Sequence, residues 1–205
     1  MNAERPSPVS RAPKVQAFLD ALDLCVSASP TELPDTSEFM TRWRSRLAEP
    51  GPSSLSGQGH RIEACAHLEP ALGALHSAPS TVLRLAQTFA VLEPSLTWTR
   101  RSYDGPGAER FFEGHGNALI VGPEGLEDRP GIVVGVTIMA PGTQYPEHSH
   151  PPDELYIALS PGEWRREQGD WFSPGRGGLV RNTPGVLHAM RATDAPLLAI
   201  WSLIA

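Results

Sequence analysis

The sequence has few of the features that mark secreted, membrane-spanning or nucleic-acid-binding proteins. Its 205 residues include only two cysteines, Cys25 and Cys65, so a disulfide framework is not expected. No apolar run reaches the length of a membrane span, and no basic segment leads into an apolar stretch at the start. The 17 basic residues are outnumbered by 23 acidic ones, which argues against a nucleic-acid or anionic membrane partner. We therefore expect a soluble, cytoplasmic protein.

The predicted secondary structure changes from helices to strands near residue 95. Residues 1–13 predict a flexible tail, and residues 14–94 predict amphipathic helices that pack on the remainder of the chain. One of these helices, over about 62–75, contains Pro70 and is expected to be kinked or split, and Ser80 is expected to cap the next. Residues 95–205 show short β-branched runs separated by Gly and Pro turns, which is typical of a sandwich or barrel.

Two pairs of polar residues within the β region predict a metal site. His148 and His150 are two residues apart, so on an extended strand their side chains point the same way. Glu154 and Tyr156 form a second such pair. A fourth ligand should lie on a later strand, and His188, which follows a Pro-Gly turn, is the natural candidate. Imidazoles and a carboxylate that converge in this way suit a borderline divalent metal.

The two segments resemble the paired signatures of the cupin superfamily. The first matches glycine at Gly142, five residues, His-x-His, three residues and Glu, with the closing glycine displaced by one to Gly162. The second, 178–188, matches the glycine, proline and histidine positions, whereas Ala192 replaces the terminal asparagine. The resemblance implies a mainly β protein: a cupin β-barrel (double-stranded β-helix, jelly roll) preceded by an α-helical N-terminal region. It also implies one divalent metal ion, such as Zn, Fe, Mn, Ni or Co.

Aromatic residues near the ligands suggest chemistry beyond metal binding. Tyr156 should point into the barrel, where a cation would stabilise its phenolate and make it a general base. Tyr145 would line the same pocket, and Trp171 is a candidate for a further aromatic wall. The alternative for Tyr156 is a buried core tyrosine, and for Trp171 it is ordinary packing. His115 lies in a loop-like segment and is interpreted as structural or exposed.

The order and spacing of these residues resemble the cupin-type dimethylsulfoniopropionate lyases of bacteria, most closely the Q-type with its helical N-terminal part. The residues that carry this resemblance are Tyr145, His148, His150, Glu154, Tyr156 and His188. It implies a carbon-sulfur lyase that releases dimethyl sulfide and acrylate, with the histidines and Glu154 around the metal and Tyr156 abstracting the proton. Tyr145 and Trp171 could hold the sulfonium by cation–π attraction.

Other functions remain open at the level of the sequence. Lyase-like cupins with these ligands act on other small carboxylate substrates, and an iron-dependent cupin dioxygenase would require Fe(II) and molecular oxygen. A non-catalytic binding module would not need Tyr156. A DNA-binding regulator is disfavoured because the helical region shows no basic recognition face. We expect a monomer or homodimer that binds a small-molecule substrate.

Overall fold

A computed structural model describes residues 10–33, 36–54 and 57–205 of the chain. Residues 1–9 of the predicted tail lie outside this set. Five α-helices occur among the described residues: α1 (Pro13–Ser27), α2 (Ser37–Ala48), α3 (Leu68–Gly73), α4 (Ser80–Leu92) and α5 (Ala108–Gly114). The periodicity of their apolar residues explains their packing, since α1 and α4 contact each other through faces that bury Phe18, Leu22 and Phe89.

The segment predicted as one helix over 62–75 is split, as expected. A 3-10 turn (Glu63–His67) leads directly into α3, and Pro70 is the third residue of α3. A proline is tolerated there because N–H groups in the first turn have no partner within the helix. The predicted cap of the next helix was wrong: α4 begins at Ser80 itself, Pro79 occupies the capping position, and no side chain caps the helix.

The strands form two antiparallel sheets. Their bounds are β1 (Trp98–Thr99), β2 (His115–Val121), β3 (Ile132–Met139), β4 (Gln144–His148), β5 (Asp153–Ala158), β6 (Glu163–Arg166), β7 (Leu179–Asn182), β8 (His188–Arg191) and β9 (Leu197–Ile204). The larger sheet has the order β1-β2-β3-β9-β5-β7, and the smaller has the order β4-β8-β6. The last strand in sequence order is β9. It lies in the interior of the larger sheet, paired with β3 and β5.

The larger sheet is covered on both faces. Leu155 and Ile157 of β5 belong to a core shared with the helices, whereas Tyr156 belongs to a second core that also contains Trp164 and Met190 of the smaller sheet. Every residue of β5 is therefore buried, which explains why this strand shows little polar alternation. The two facing sheets with helices outside them form the predicted cupin β-barrel with a helical N-terminal region.

None of the helices in the described parts of the chain combines the length and the hydrophobicity needed to cross a bilayer.

Candidate metal centre

Three histidines converge inside the barrel where the two sheets meet. His148 ends β4 and pairs in register with His188, which begins β8. Their ring centroids are 4.2 Å apart, and those of His150 and His188 are 5.0 Å apart. One nitrogen from each of the three rings lies within 4.8 Å of the others. A single ion could therefore contact all three side chains.

Backbone carbonyls fix which nitrogen of each ring faces the centre. The Nδ1 atom of His148 lies 3.0 Å from the carbonyl oxygen of Pro146, and that of His150 lies 3.0 Å from the oxygen of Pro152. In His188 the corresponding distance, to Val186 O, is 2.9 Å. A carbonyl oxygen can only accept, so each Nδ1 must carry the proton. The neutral rings then present Nε2 with a free lone pair, which is the form that binds a metal.

Glu154 lies against two of these rings. Its Oε2 atom lies 3.3 Å from His150 Nε2 and 3.2 Å from His188 Nε2. Both Nε2 atoms are buried and make no hydrogen bond of acceptable geometry. Asn182, which is paired with Glu154 across β5 and β7, donates a hydrogen bond of 2.9 Å from Nδ2 to the same Oε2. Buried nitrogens that converge on one carboxylate without bonding to it fit a divalent ion with N and O ligands.

The pKa shifts of His148 and Glu154 favour the protonation states that bind a metal. Burial lowers the pKa of His148 to about 4, so its ring is neutral at neutral pH. Burial acts to raise the pKa of Glu154, but the close approach of the His150 and His188 rings and the hydrogen bond from Asn182 outweigh it and hold that pKa at about 2. Glu154 is therefore an anion throughout the physiological range.

A cavity of about 420 Å³ opens beside His148, His150 and Glu154. Its walls come from β1, β2, β4, β5 and β9, and they include both predicted tyrosines, Tyr145 and Tyr156. Tyr156 is 4% exposed. Burial and the negative charge of Glu154 raise the pKa of Tyr156 well above its ordinary value, so the protein groups alone favour the neutral phenol.

Trp201, which the sequence pattern did not single out, provides the aromatic wall of the cavity. It lies on β9, where it is the register partner of Tyr156 on β5 and of Gly135 on β3. A side chain at Gly135 would overlap the Trp201 indole, so the glycine makes room for it. The indole Nε1 donates to Thr137 Oγ1 at 3.0 Å, which fixes the orientation of the ring.

Trp171 does not line this cavity, contrary to the prediction. Its ring lies between two guanidinium groups, 4.8 Å from that of Arg165 and 4.2 Å from that of Arg191. Side chains alternate along β6, so the buried Trp164 faces the barrel interior and Arg165 faces outward. Trp171 packs on this outward side, and it is not proposed as a substrate contact.

His115, which the sequence predicts to be structural or exposed, is a buried structural residue. It is 0% exposed and begins β2 rather than lying in a loop. Its Nδ1 atom contacts the carbonyl of Phe111, and its Nε2 accepts a 2.9 Å hydrogen bond from the backbone N–H of Arg101. Its ring also stacks on Phe111 with centroids 3.8 Å apart. Both nitrogens are thus occupied, and neither is free for an ion.

Arg101 is a further cavity residue that the sequence did not reveal. One of its guanidinium nitrogens, Nη1, lies 3.3 Å from the hydroxyl of Tyr145. Burial raises the pKa of Tyr145, and the positive charge of Arg101 opposes that rise.

Comparison with known proteins provides independent evidence on family and fold. A family model for dimethylsulfoniopropionate lyases matches residues 36–199. A relative from Cereibacter sphaeroides, named as the dimethylsulfoniopropionate lyase DddL, is 34% identical over 85 residues, which make up 40% of this chain and 35% of the relative. The match thus spans about a third of the length of that relative.

Two solved structures superpose on nearly the whole chain. A chain from the crystal structures of the DMSP lyases RdDddP and RnDddQII has a TM-score of 0.66 and 20% identity, covering 94% of this chain and 92% of that one. The DMSP lyase DddQ from Ruegeria pomeroyi DSS-3 has a TM-score of 0.63 and 21% identity, with the same coverage of 94% and 92%. At these identities the similarity establishes a shared fold.

Proposed function

Because the chain belongs to the dimethylsulfoniopropionate lyase family, we propose that it cleaves dimethylsulfoniopropionate into dimethyl sulfide and acrylate by metal-dependent β-elimination. The observation that carries this proposal is the position of Tyr156, a buried tyrosine in the same cavity as His148, His150 and Glu154. A barrel that only bound a metal or a small ligand would not need a phenol there.

The ligand set of the proposed ion is His148, His150, His188 and Glu154. When bound, a divalent ion supplies Lewis acidity to the substrate carboxylate and positive charge that favours the phenolate of Tyr156. Zinc, iron, manganese, nickel and cobalt all suit nitrogen and oxygen donors of this kind. The proposed reaction involves no change of oxidation state, so it does not select among them.

The proposed reaction needs a base and a leaving group. Tyr156 takes the proton from the carbon beside the carboxylate, and the electron pair of that C–H bond becomes the C=C bond of acrylate. The C–S bond breaks at the same time, and sulfur keeps the bonding pair and leaves as neutral dimethyl sulfide. The proton on Tyr156 then passes to solvent. The ring of Trp201 is available to hold the sulfonium by cation–π attraction, worth about 0.5–2 kcal/mol.

The test is headspace gas chromatography for dimethyl sulfide with metal-loaded protein and dimethylsulfoniopropionate. We expect Tyr156→Phe to lower the rate by about 100-fold or more, because removal of a general base typically has such an effect. Tyr103→Phe is the matched control: Tyr103 is 37% exposed and lies outside the cavity, so this variant should keep the wild-type rate. Protein stripped of metal by a chelator should release almost none.

Two results would contradict the proposal. Equal release from the wild type and Tyr156→Phe would remove Tyr156 from the role of base. Absence of release from the wild type, with the metal confirmed bound, would exclude this substrate. Oxygen uptake and assays with other small carboxylates would then distinguish a dioxygenase from a lyase-like cupin.

A further inference from the structure

Arg101 places a positive charge in the wall of the cavity. Its backbone is held by the hydrogen bond to His115 Nε2, and its guanidinium lies 5.9 Å from the centroid of the Tyr145 ring. A guanidinium has five N–H donors, and the 3.3 Å contact with the Tyr145 hydroxyl uses one of them. The remaining donors are available to a ligand in the cavity.

The charge of Arg101 is not neutralised by an acidic neighbour. Across residues 10–33, 36–54 and 57–205, no carboxylate forms an ion pair with it, whereas the adjacent Arg100 pairs with Glu63. The two arginines also differ in position, since Arg101 lines the cavity and Arg100 does not. The neighbouring pair therefore offers a comparison between a cation inside the site and one outside it.

Among the described residues that line the cavity, Arg101 is the one arginine or lysine, whereas Glu124 and Glu154 are acidic. Arg101 is bonded to the first residue of β2, and Glu124 lies just beyond the last, Val121. Asn117 and Leu119 line the cavity between them. A zwitterion in this cavity is therefore expected to place its anionic group toward Arg101.

We propose that Arg101 and the hydroxyl of Tyr145 form a carboxylate-binding subsite in the cavity wall, which holds one carboxylate oxygen and leaves the other free for the ion of the proposed function. Its ligands are small monocarboxylates, because a guanidinium binds a carboxylate through paired N–H donors. The inference rests on the proposed function only for its natural ligand, dimethylsulfoniopropionate. Acrylate keeps the carboxylate of the substrate, so the same subsite binds the product and makes it an inhibitor.

The experiment measures carboxylate binding without turnover. Sodium propionate is titrated by isothermal calorimetry, in low-chloride buffer, into zinc-loaded and metal-free protein. Loss of a hydrogen bond to a charged group predicts that Arg101→Met weakens propionate binding by at least about tenfold in both forms. Arg100→Met removes the same charge from the adjacent position and should stay within about twofold of the wild type. Arg101→Lys keeps the charge without the paired donors, so its affinity for propionate should lie between those of the other two variants.

The outcomes separate this inference from the proposed function. Equal propionate affinity in the wild type and Arg101→Met, with both variants folded by circular dichroism, would overturn the subsite. Propionate binding that requires zinc and ignores Arg101 would do the same. Binding that depends on Arg101 in a protein that releases no dimethyl sulfide would support the subsite while excluding the lyase. In an active enzyme, Arg101→Met should raise the KM for dimethylsulfoniopropionate and the inhibition constant of acrylate by similar factors.

Discussion

His115 and the three histidines of the candidate metal centre differ in what their ring nitrogens contact. The Nε2 atoms of His150 and His188 face the centre without a hydrogen bond, whereas His115 has partners at both nitrogens. Burial lowers the pKa of His115 to about 4, below its ordinary value of 6.5. A protonated His115 could not accept the N–H of Arg101, so the folded protein resists that protonation.

This property predicts a loss of stability in acid. Between pH 6.5 and 4 the unfolded chain binds a proton at His115 that the folded protein does not, so the free energy of unfolding falls as the pH falls. The depressed pKa corresponds to about 2–3 kcal/mol over this range. In His115→Gln this contribution is absent, and urea unfolding at several pH values should show a flatter pH dependence than in the wild type. The prediction would be contradicted if the free energy of unfolding changed equally with pH in the two proteins.

Alternation along one strand predicts some site residues and misses others. Glu154 and Tyr156 could be paired from the sequence because they follow a His-x-His motif and interrupt an apolar strand. Trp201 stands in a strand that is apolar on both faces, so its position does not indicate which face meets the cavity. Arg101 is placed by the backbone hydrogen bond to His115, a contact between separate segments that no local pattern encodes.

At the scale of the strands, the packing of Trp201 depends on one small residue. Gly135 on β3 faces the Trp201 indole, and an added Cβ would overlap ring carbons Cζ2 and Cη2. We predict that Gly135→Ala lowers stability by about 1–3 kcal/mol through overpacking and displaces the indole into the cavity. Chemical denaturation and tryptophan fluorescence measure the two effects.

Gly73→Ala provides the control for this substitution. An added Cβ at Gly73, the last residue of α3, meets no atom within 4 Å. The fluorescence of this variant should therefore match that of the wild type, and its stability should not fall. Wild-type stability and fluorescence in Gly135→Ala would show that the position of the Trp201 indole does not depend on the glycine.

Most elements could be predicted from the sequence because their apolar residues repeat over several turns or alternations. The bounds of β3, for example, coincide with the β-branched run from Ile132 to Met139. The short helix α5 could not be predicted from the sequence. It has seven residues, and Phe111 is its one large buried side chain. A helix of two turns does not provide enough repeats for its period to be recognised.

At the scale of the whole molecule, Glu127 connects the helical region to the barrel. It is 1% exposed, and its carboxylate accepts hydrogen bonds from Arg11 at 2.6 Å and from the backbone N–H of Gly51 at 3.1 Å. Arg11 also donates to the carbonyl of Leu47 at 2.7 Å, near the end of α2. One carboxylate thus holds the segment before α1 and the segment after α2 against the loop that follows β2.

We predict that Glu127→Gln destabilises the protein by about 3 kcal/mol or more, because it leaves Arg11 and Arg129 without their buried counter-ion. Urea unfolding monitored by circular dichroism measures this change. The exposed pair of Glu147 and Arg165 offers the control, since Glu147→Gln should change stability by less than about 1 kcal/mol. Equal effects of the two substitutions would show that Glu127 has no special role in joining the two regions.

The central position of β9 determines when the barrel can form during synthesis. A ribosome releases β3 and β5 well before β9. These two strands do not pair with each other, because β9 lies between them and pairs with both. Until residues 197–204 leave the exit tunnel, one edge of each strand stays open and the two halves of the larger sheet remain unjoined. Glu154 and Trp201 meet in the cavity only after that pairing. A nascent chain arrested before Leu197 therefore lacks the part of the cavity wall that β9 provides.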